Sequence, residues 1–360
     1  MSKTSNLLKL SSILPHIKTL TSEELVSWAA SHKEKPFRAR QVFDWIWKKK
    51  AIDFDQMTDV PLGFRKILSE HFICSALKEV EEFISADGTR KYAFLLGDDR
   101  IIEGVLIPSS SRITACISTQ VGCSLGCKFC ATGTLGFQRD LDFTEIHDQI
   151  VRLMNFSDEK YTHPLSNIVV MGMGEPLLNY ENTMLALDKI SDKNLLNFSP
   201  QRITISTAGI VPGIKRMADE NSPYQLAVSL HSAIEAKRKQ MMPLANKYSL
   251  SMLTEALVCY HKKTNNRITI EYILFDGIND SSEDSDALAK FCRSFPVKIN
   301  LIPYNATSVE KFRKSDSGKS KSFAGFLESK NIIVNLRKSK GADIQAACGQ
   351  LANQKLKTIL

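Results

Sequence analysis

The sequence predicts an α/β fold organised on a parallel sheet, and three observations predict it. From about residue 140 onward, short apolar runs alternate with amphipathic stretches, giving six strand–helix units when the run before the cysteine-rich loop is counted. Gly, Ser, His and Asn recur just past the ends of those runs, at Met171-Gly-Met-Gly-Glu-Pro176, Thr207-Ala-Gly209, His231 and Tyr304-Asn305. That is where β/α arrays gather their binding groups. Neither G-x-G-x-x-G nor a P-loop follows any run, so dinucleotide and ATP chemistry lose support. The repeat fits a doubly wound sheet or a closed barrel.

Taken in order, residues 21–72 read as helical. Ser22-Glu-Glu-Leu25 offers a hydroxyl cap and acids in a first turn. In Pro36 to Lys50, Val42, Trp45 and Ile46 share a face, and the tryptophans are expected in a small-domain core. Pro61 and Gly63 separate this from another short helix reaching about His71. From 77 to 119 the period changes to two. Asp87-Gly88 is a hairpin turn between Val80–Ser85 and Lys91–Leu96, and Gly97-Asp-Asp99 turns into Ile101–Ile107. Ile113–Thr119 then leads into the cysteine loop. Glu103 is the one carboxylate in an apolar strand, either half-exposed or pointing inward with a raised pKa.

The expected helix–strand succession is helix 143–155, strand 167–172, helix 181–190, strand Arg202–Ser206, helix 211–219 and strand Gln225–Leu230. It continues with helix 250–264, strand Arg267–Leu274, helix 282–293 and strand Val297–Pro303. Residues 306–322 are rich in Ser, Lys and Asp and read as a mobile loop. A short helix and the strand Ile332–Leu336 follow. The domains are expected as 1–75, a helical accessory domain; 76–111, a β-hairpin extension; 112–305, the β/α core; and 306–360, a C-terminal extension.

At 360 residues, 43% hydrophobic and 24% charged, the composition is ordinary for a globular protein. No apolar run reaches the ~18 residues of a membrane span. Lys9 interrupts the early apolar patch Leu7, Leu8, Leu10, so no signal peptide is expected, and the protein should be cytoplasmic. The net charge of +8 is uneven: residues 33–50 carry 7 Lys/Arg against 2 acids, and residues 301–360 carry 11 against 4. Two basic ends around a neutral middle fit a polyanion gripped from two sides, although charge runs are commonly just solvated surface.

Eight cysteines in such a chain speak for metal or catalytic thiols more than for a disulfide framework. Four stand within Cys116-Ile-Ser-Thr-Gln-Val-Gly-Cys123-Ser-Leu-Gly-Cys127-Lys-Phe-Cys130. The last three have the spacing C-x3-C-x2-C on a Gly-bearing loop. Three thiolates hold three irons of a cubane and leave the fourth open to a ligand. Zinc normally takes four Cys/His ligands, and the nearest histidine, His147, falls in another element. Cys74, Cys259 and Cys292 read as small core thiols. Cys348, between small residues and next to Gly349, is a core or a reactive thiol.

The C-x3-C-x2-C loop on a six-unit β/α array resembles the radical S-adenosylmethionine superfamily. Cys116 to Cys123, Met171-Gly-Met-Gly-Glu-Pro176, Ser229-Leu-His231, Ile302-Pro-Tyr-Asn305, Asp343-Ile-Gln-Ala-Ala-Cys348-Gly-Gln350 and Arg38-Ala-Arg-Gln-Val42 go further. Together, from about residue 20 to the end, they resemble the dual-specificity RNA adenine-C2 methyltransferase family, RlmN. The resemblance implies a partial (β/α)6 barrel. It assigns Cys123, Cys127 and Cys130 to a [4Fe–4S] cluster. It assigns Gly174, Glu175, Ser206, Ser229, Leu230, His231 and Asn305 to S-adenosylmethionine. Cys348 would be the cysteine that is methylated, Cys116 the second catalytic cysteine and Glu103 the general base.

The implied reaction uses two S-adenosylmethionine molecules per turnover. One methylates Cys348; the other, cleaved by a reduced cluster, yields a radical that activates the new methyl group. Its carbon adds to adenine C2, a base removes the C2 proton, and Cys116 attacks the Cys348 sulfur, leaving a disulfide and the methylated base. The implied partners are 23S rRNA, tRNA and an electron donor such as flavodoxin. No membrane is involved, and the protein is expected to be a monomer. The basic N-terminal segment and residues 311–340 would grip RNA. Two other readings stand beside this one: a Cfr-like adenine-C8 methyltransferase with nearly the same core motifs, and a non-catalytic metal-cluster RNA-binding protein.

Overall fold

Alternation and apolar runs settle into one mixed sheet. The computed structural model describes residues 14–307 and 311–352; the Leu7–Leu10 patch and the outer ends of segments 1–75 and 306–360 lie outside them. The strands are β1 (Lys78–Ile84), β2 (Arg90–Leu95), β3 (Ile101–Ser109), β4 (Arg112–Cys116), β5 (Gln120–Gly122), β6 (Phe137–Asp140), β7 (Leu165–Val170), β8 (Ile203–Thr207), β9 (Gln225–Ser229), β10 (Ile268–Leu274), β11 (Val297–Pro303) and β12 (Ile333–Leu336). Ten of them form a sheet ordered β1-β2-β3-β4-β7-β8-β9-β10-β11-β12, and β5 and β6 form a small ribbon. β1 to β4 pair antiparallel. Within this sheet every pairing from β4 to β12 is parallel, while the β5–β6 ribbon is antiparallel.

β1 and β12 both end the strand order, so the barrel is partial. Helices return the parallel strands to one another, and the central strands β8, β9 and β10 are mostly buried, whereas the edge strand β12 is largely exposed. In β10 all seven residues are buried, which explains its unbroken apolar run. Each fully buried Ile, Leu or Val contributes roughly 1.5–3 kcal/mol. The expected units appear with small shifts at their ends. The helix after the cysteine loop extends to Phe143–Lys160, started by a capping box between Asp142 and Glu145.

The 76–111 hairpin continues the barrel's sheet, since β3 pairs with β4. Three expectations change. β12 adds a seventh parallel strand beyond the expected six. The supposed loop 306–322 becomes helix from Ser317, running to Ser329; Asp316 caps it, and Phe323, Ala324 and Leu327 turn inward. The first helix, Ser22–Ser31, is capped by Thr21 in a box with Glu24, so Ser22 lies inside it.

The helical N-terminal unit has its own core of Leu25, Ala29, Val42, Ile46, Trp47, Phe64 and Leu68. Trp47 is buried there. Trp45 is only half-buried: its indole donates to Asp59, and Lys49 stacks on its ring at 4.0 Å. The unit is fastened to the barrel by a buried polar knot. Lys18 donates to Asp148 and to His147 Nδ1 (3.1 Å), His16 Nε2 donates to Asp148 (2.9 Å), and the Ala76 amide does so at 2.7 Å. Burial opposes ionisation of Asp148, but Lys18 and His16 outweigh it and hold the carboxyl well below its usual range. Burial, then the Lys18 charge, pushes His147 down to about 4.

This sets a pH dependence. An unfolded His147 takes up a proton near 6.5, whereas the folded one stays neutral to about 4. Between those values the unfolded chain binds more protons, so stability falls as pH drops, by at most about 1.4 kcal/mol per unit from this group. The urea midpoint should therefore decrease from pH 6.5 to 4.5, and less steeply in His147→Gln. Equal slopes in the two proteins would contradict a neutral buried His147.

Candidate active site

The cluster loop is shaped by its own backbone. Gly122 (φ +76°) and Gly126 (φ +58°) take left-handed turns. The Cys123 amide donates to Gly136 O (3.0 Å), and the Cys130 amide to Cys127 O (3.1 Å). Phe129 is buried, with its ring edge-on to His231 at 4.8 Å and 5.4 Å from Phe275. Burial and the neighbouring acidic groups push the Cys123 thiol up to about 11; burial and the other two cysteines push Cys127 higher.

Thiols that suppress one another's ionisation suit a cationic metal centre, which would draw off their protons. Among the described residues no three His, Cys, Asp or Glu surround a point as ligands of one ion. A cubane asks for something else, one sulfur at each of three separate irons. The C-x3-C-x2-C loop supplies three thiols for it.

A second wall forms at the carboxyl ends of β7, β8 and β9. The Gly174 backbone has φ +103°, and a Cβ there would stand 2.6 Å from Gln120 Cβ. Gln120 Oε1 accepts from the Glu175 amide at 2.9 Å. The buried Glu175 carboxylate accepts from the amides of Leu177 (3.1 Å) and Ala208 (2.8 Å). Burial nevertheless raises Glu175 to about 7. Such a group gains from a cation, and an amino acid's ammonium fits it.

Ser206 and Ser229 sit on one face of the sheet, Ser206 opposite Ala227 and Ser229 opposite Glu271. Leu230 is wholly buried in the core, so only its backbone can offer contacts. His231 has φ +56°; its Nδ1 accepts from the Ile273 amide (3.1 Å), which leaves Nε2 protonated. Burial, then the Arg238 charge, holds its ring neutral down to about 3. Asn305, half-buried, follows β11.

Sheet register brings a third group together. Ala93 stands opposite Glu103, Lys91 opposite Val105, and Val105 opposite Cys116. Lys91, Glu103 and Cys116 therefore share one face. Glu103 is 2% exposed, so it points inward and is not half-exposed. Its Oε1 meets Lys91 Nζ at 3.1 Å, and its Oε2 accepts from the Ala352 amide at 3.0 Å.

The loop bearing Cys348 is tied to several elements. Asp343 accepts from Ser85 (2.6 Å), and the Ala131 amide donates to Gly349 O (2.7 Å). Thr132 donates to Leu351 O (2.6 Å), and Gln350 to Ala306 O (2.8 Å). Cys348 is solvent-exposed, which removes the core-thiol reading, and burial of its surroundings still raises it to about 11. Cys116 is buried, and after burial the neighbouring Cys348 is the chief influence raising its thiol. All eight cysteines are free here, Cys259 only half-buried.

Sequence reading missed Lys91, which stands next to Arg90 at the start of β2 and has no local pattern to single it out. It also missed Glu271 and Asn300. Asn300 Nδ2 donates to Glu271 at 2.8 Å, and Glu271 lies close enough to raise the Cys348 thiol. Of the expected RNA contacts, Lys48, Lys49 and Lys50 pair with Asp44, Asp59 and Asp158, and Arg38 donates to Gln41 and Asp59 O. Arg40, Arg337 and Lys338 are exposed without an ion-pair partner among the described residues.

Known proteins resemble this arrangement along the whole chain. Residues 16–74 match the family model for the ribosomal RNA large subunit methyltransferase N-terminal domain, and residues 117–289 match the radical SAM superfamily. A probable dual-specificity RNA methyltransferase RlmN of Cytophaga hutchinsonii is 45% identical over 95% of this chain and 93% of its own length. The dual-specificity RNA methyltransferase RlmN of Anaeromyxobacter dehalogenans is 41% identical over 94% of this chain and 92% of its own. A crystal structure of a radical SAM methyltransferase from Sphaerobacter thermophilus superposes with a TM-score of 0.89 at 39% identity, covering 94% of this chain and 99% of that one. No described helix is long and apolar enough to cross a membrane.

Proposed function

We propose a division of labour among residues on the premise that the chain belongs to the RlmN family of dual-specificity RNA methyltransferases. It is a radical SAM enzyme that methylates C2 of adenosine in 23S rRNA and tRNA. Cys123, Cys127 and Cys130 hold the [4Fe–4S] cluster. Gly174, Glu175, Ser206, Ser229, the Leu230 backbone, His231 and Asn305 hold S-adenosylmethionine. When bound, these groups supply a methyl group and, from a second S-adenosylmethionine, the radical that an unreactive amidine carbon requires.

Cys348 carries the methyl group as a thioether and delivers its carbon to C2 of an extruded adenine. Extrusion costs a few kcal/mol and is least in loops. Glu103 takes the C2 proton as the adduct gives up one electron, which a bound iron–sulfur cluster would take back. The Cys116 thiolate then attacks the Cys348 sulfur. Its carbon–sulfur bond breaks with the electrons passing to the carbon, which is protonated to the new methyl group. The resulting Cys116–Cys348 disulfide is transient, and a two-electron reductant restores both thiols. Arg38, Arg40 and the basic stretch 311–340 grip RNA phosphates; exposed ion pairs such as Lys48–Asp44 are weak enough to yield to them. We place the reaction in the cytoplasm of a monomeric enzyme served by a flavodoxin-type donor.

The observation that carries this reading is the convergence of Glu103 and Cys116, on the adjoining strands β3 and β4, with the Cys348 loop from the far end of the chain. Anaerobically reconstituted protein with dithionite should form 5′-deoxyadenosine, and digested rRNA should contain 2-methyladenosine by mass spectrometry. No 5′-deoxyadenosine would refute the radical route, and 8-methyladenosine would refute the assigned carbon.

A further inference from the structure

Lys91, the second residue of β2, is 5% exposed, whereas Arg90 before it is only partly buried. A lone ammonium there is costly unless its hydrogens are engaged. Its Nζ reaches three things: Glu103 Oε1 at 3.1 Å, the carbonyl of Gln345 at 3.4 Å, and the face of Phe83 at 4.9 Å. Glu103 is the carboxylate assigned to proton removal. Gln345 is three residues from Cys348 and sits in a left-handed backbone conformation, φ +54°. One cation thus ties the base to the loop that bears the substrate-linked sulfur. The other carboxylate oxygen closes the same ring of contacts, through the Ala352 amide at 3.0 Å on the far side of Cys348.

We propose that Lys91 is a positioning residue for the second half of the reaction, fixing the spacing between Glu103 and Cys348 while RNA is attached. Methyl transfer to Cys348 needs neither Glu103 nor its alignment. Removal of the C2 proton needs both. A charge-assisted bond to one carboxylate oxygen orients Glu103, and the bond to the Gln345 carbonyl keeps the Cys348 loop from drifting away from it. Phe83 covers the ammonium and helps keep water from competing for these bonds. The inference rests on the assignment of Glu103 as base.

The test separates the two halves in the reconstituted full-length enzyme. Methylation of Cys348 is read by mass spectrometry without RNA. With an rRNA fragment present, the protein–RNA adduct is followed on denaturing gels as it forms and decays. In Lys91→Met, Cys348 methylation should proceed at the parent rate while adduct decay slows roughly 10²-fold, the effect of misplacing a catalytic group by about 1 Å. Lys91→Arg, which keeps the charge but spreads its donors, should recover most of the loss. Normal adduct decay in Lys91→Met overturns the proposal. So does an equal fall of both halves in Lys91→Met and Lys91→Arg, because a merely structural role would predict it. Glu103→Gln tests the premise by itself. If its adduct decays normally, the base assignment fails; if its adduct persists while that of Lys91→Met does not, only the positioning role fails.

Discussion

Cys116→Ala is expected to stop turnover with RNA covalently joined to the protein through Cys348. Cys116 ends β4, buried at 7% exposure, and faces the same side of the sheet as Glu103. Removing one sulfur there leaves the strand's hydrogen bonds and register untouched, so the fold and the methylation of Cys348 should survive. What disappears is the buried thiol whose ionisation the neighbouring Cys348 disfavours. Without it nothing breaks the bond from the Cys348 sulfur to the carbon on adenine, and each chain should yield at most a single adduct. Denaturing electrophoresis with labelled RNA and mass spectrometry of the Cys348 peptide give the readout. Free methylated RNA released at the parent rate would remove the resolving role of Cys116. Buried thiols are slow nucleophiles until deprotonated, and burial pushes Cys116 above its ordinary range. Release should accordingly speed up as pH rises across the neutral range.

Gly122→Ala should cost the protein its cluster. At φ +76° an added Cβ would lie 1.8 Å from the Gly136 carbonyl oxygen and 3.0 Å from its carbon. Both are backbone atoms, so no side chain can swing aside. That same oxygen accepts the Cys123 amide, and the β5–β6 ribbon already shifts register between Val121 and Gly122. Relief must therefore come from separating β5 and β6, which displaces the first cluster cysteine. The left-handed backbone alone costs about 1–3 kcal/mol for a residue with a side chain. The clash adds to it. Reconstituted Gly122→Ala should bind well under the parent's iron and lose the absorbance of an iron–sulfur centre. Gly126→Ala is the control: φ is +58°, but nothing lies within 4 Å of its Cβ, so only the backbone cost applies. Equal iron in Gly122→Ala and the parent would contradict this account of the loop.

Much of the fold was legible where its central strands are buried on both faces. Ile268–Leu274 reads as an uninterrupted apolar run, and the structure buries every residue of it. The Asp87-Gly88 turn was equally plain, with Gly88 at φ +83° between β1 and β2. Composition misled where capping decides. The Ser- and Lys-rich start of 317–329 looks like a loop, yet Asp316 satisfies the first amides, and Phe323, Ala324 and Leu327 supply a buried stripe. Glu103 had two readings for a different reason. Whether a strand carboxylate is buried depends on what stands across from it, and its partners are Lys91 and an amide 249 residues away.

The sequence by itself determined the parts whose chemistry is local. Three cysteines at C-x3-C-x2-C spacing on a Gly-bearing loop suggest a three-thiolate site because they stand close together in one short stretch, Cys123 to Cys130. The order of strands and helices followed from hydrophobic period alone. Only the tertiary structure decided which groups meet. The β2–β3–β4 register places Lys91, Glu103 and Cys116 on one face. Docking of residues 341–352 on the hairpin and the cluster loop carries Cys348 to them. No local pattern encodes those distances, since they are set by cross-strand pairing and by hydrogen bonds between residues hundreds of positions apart.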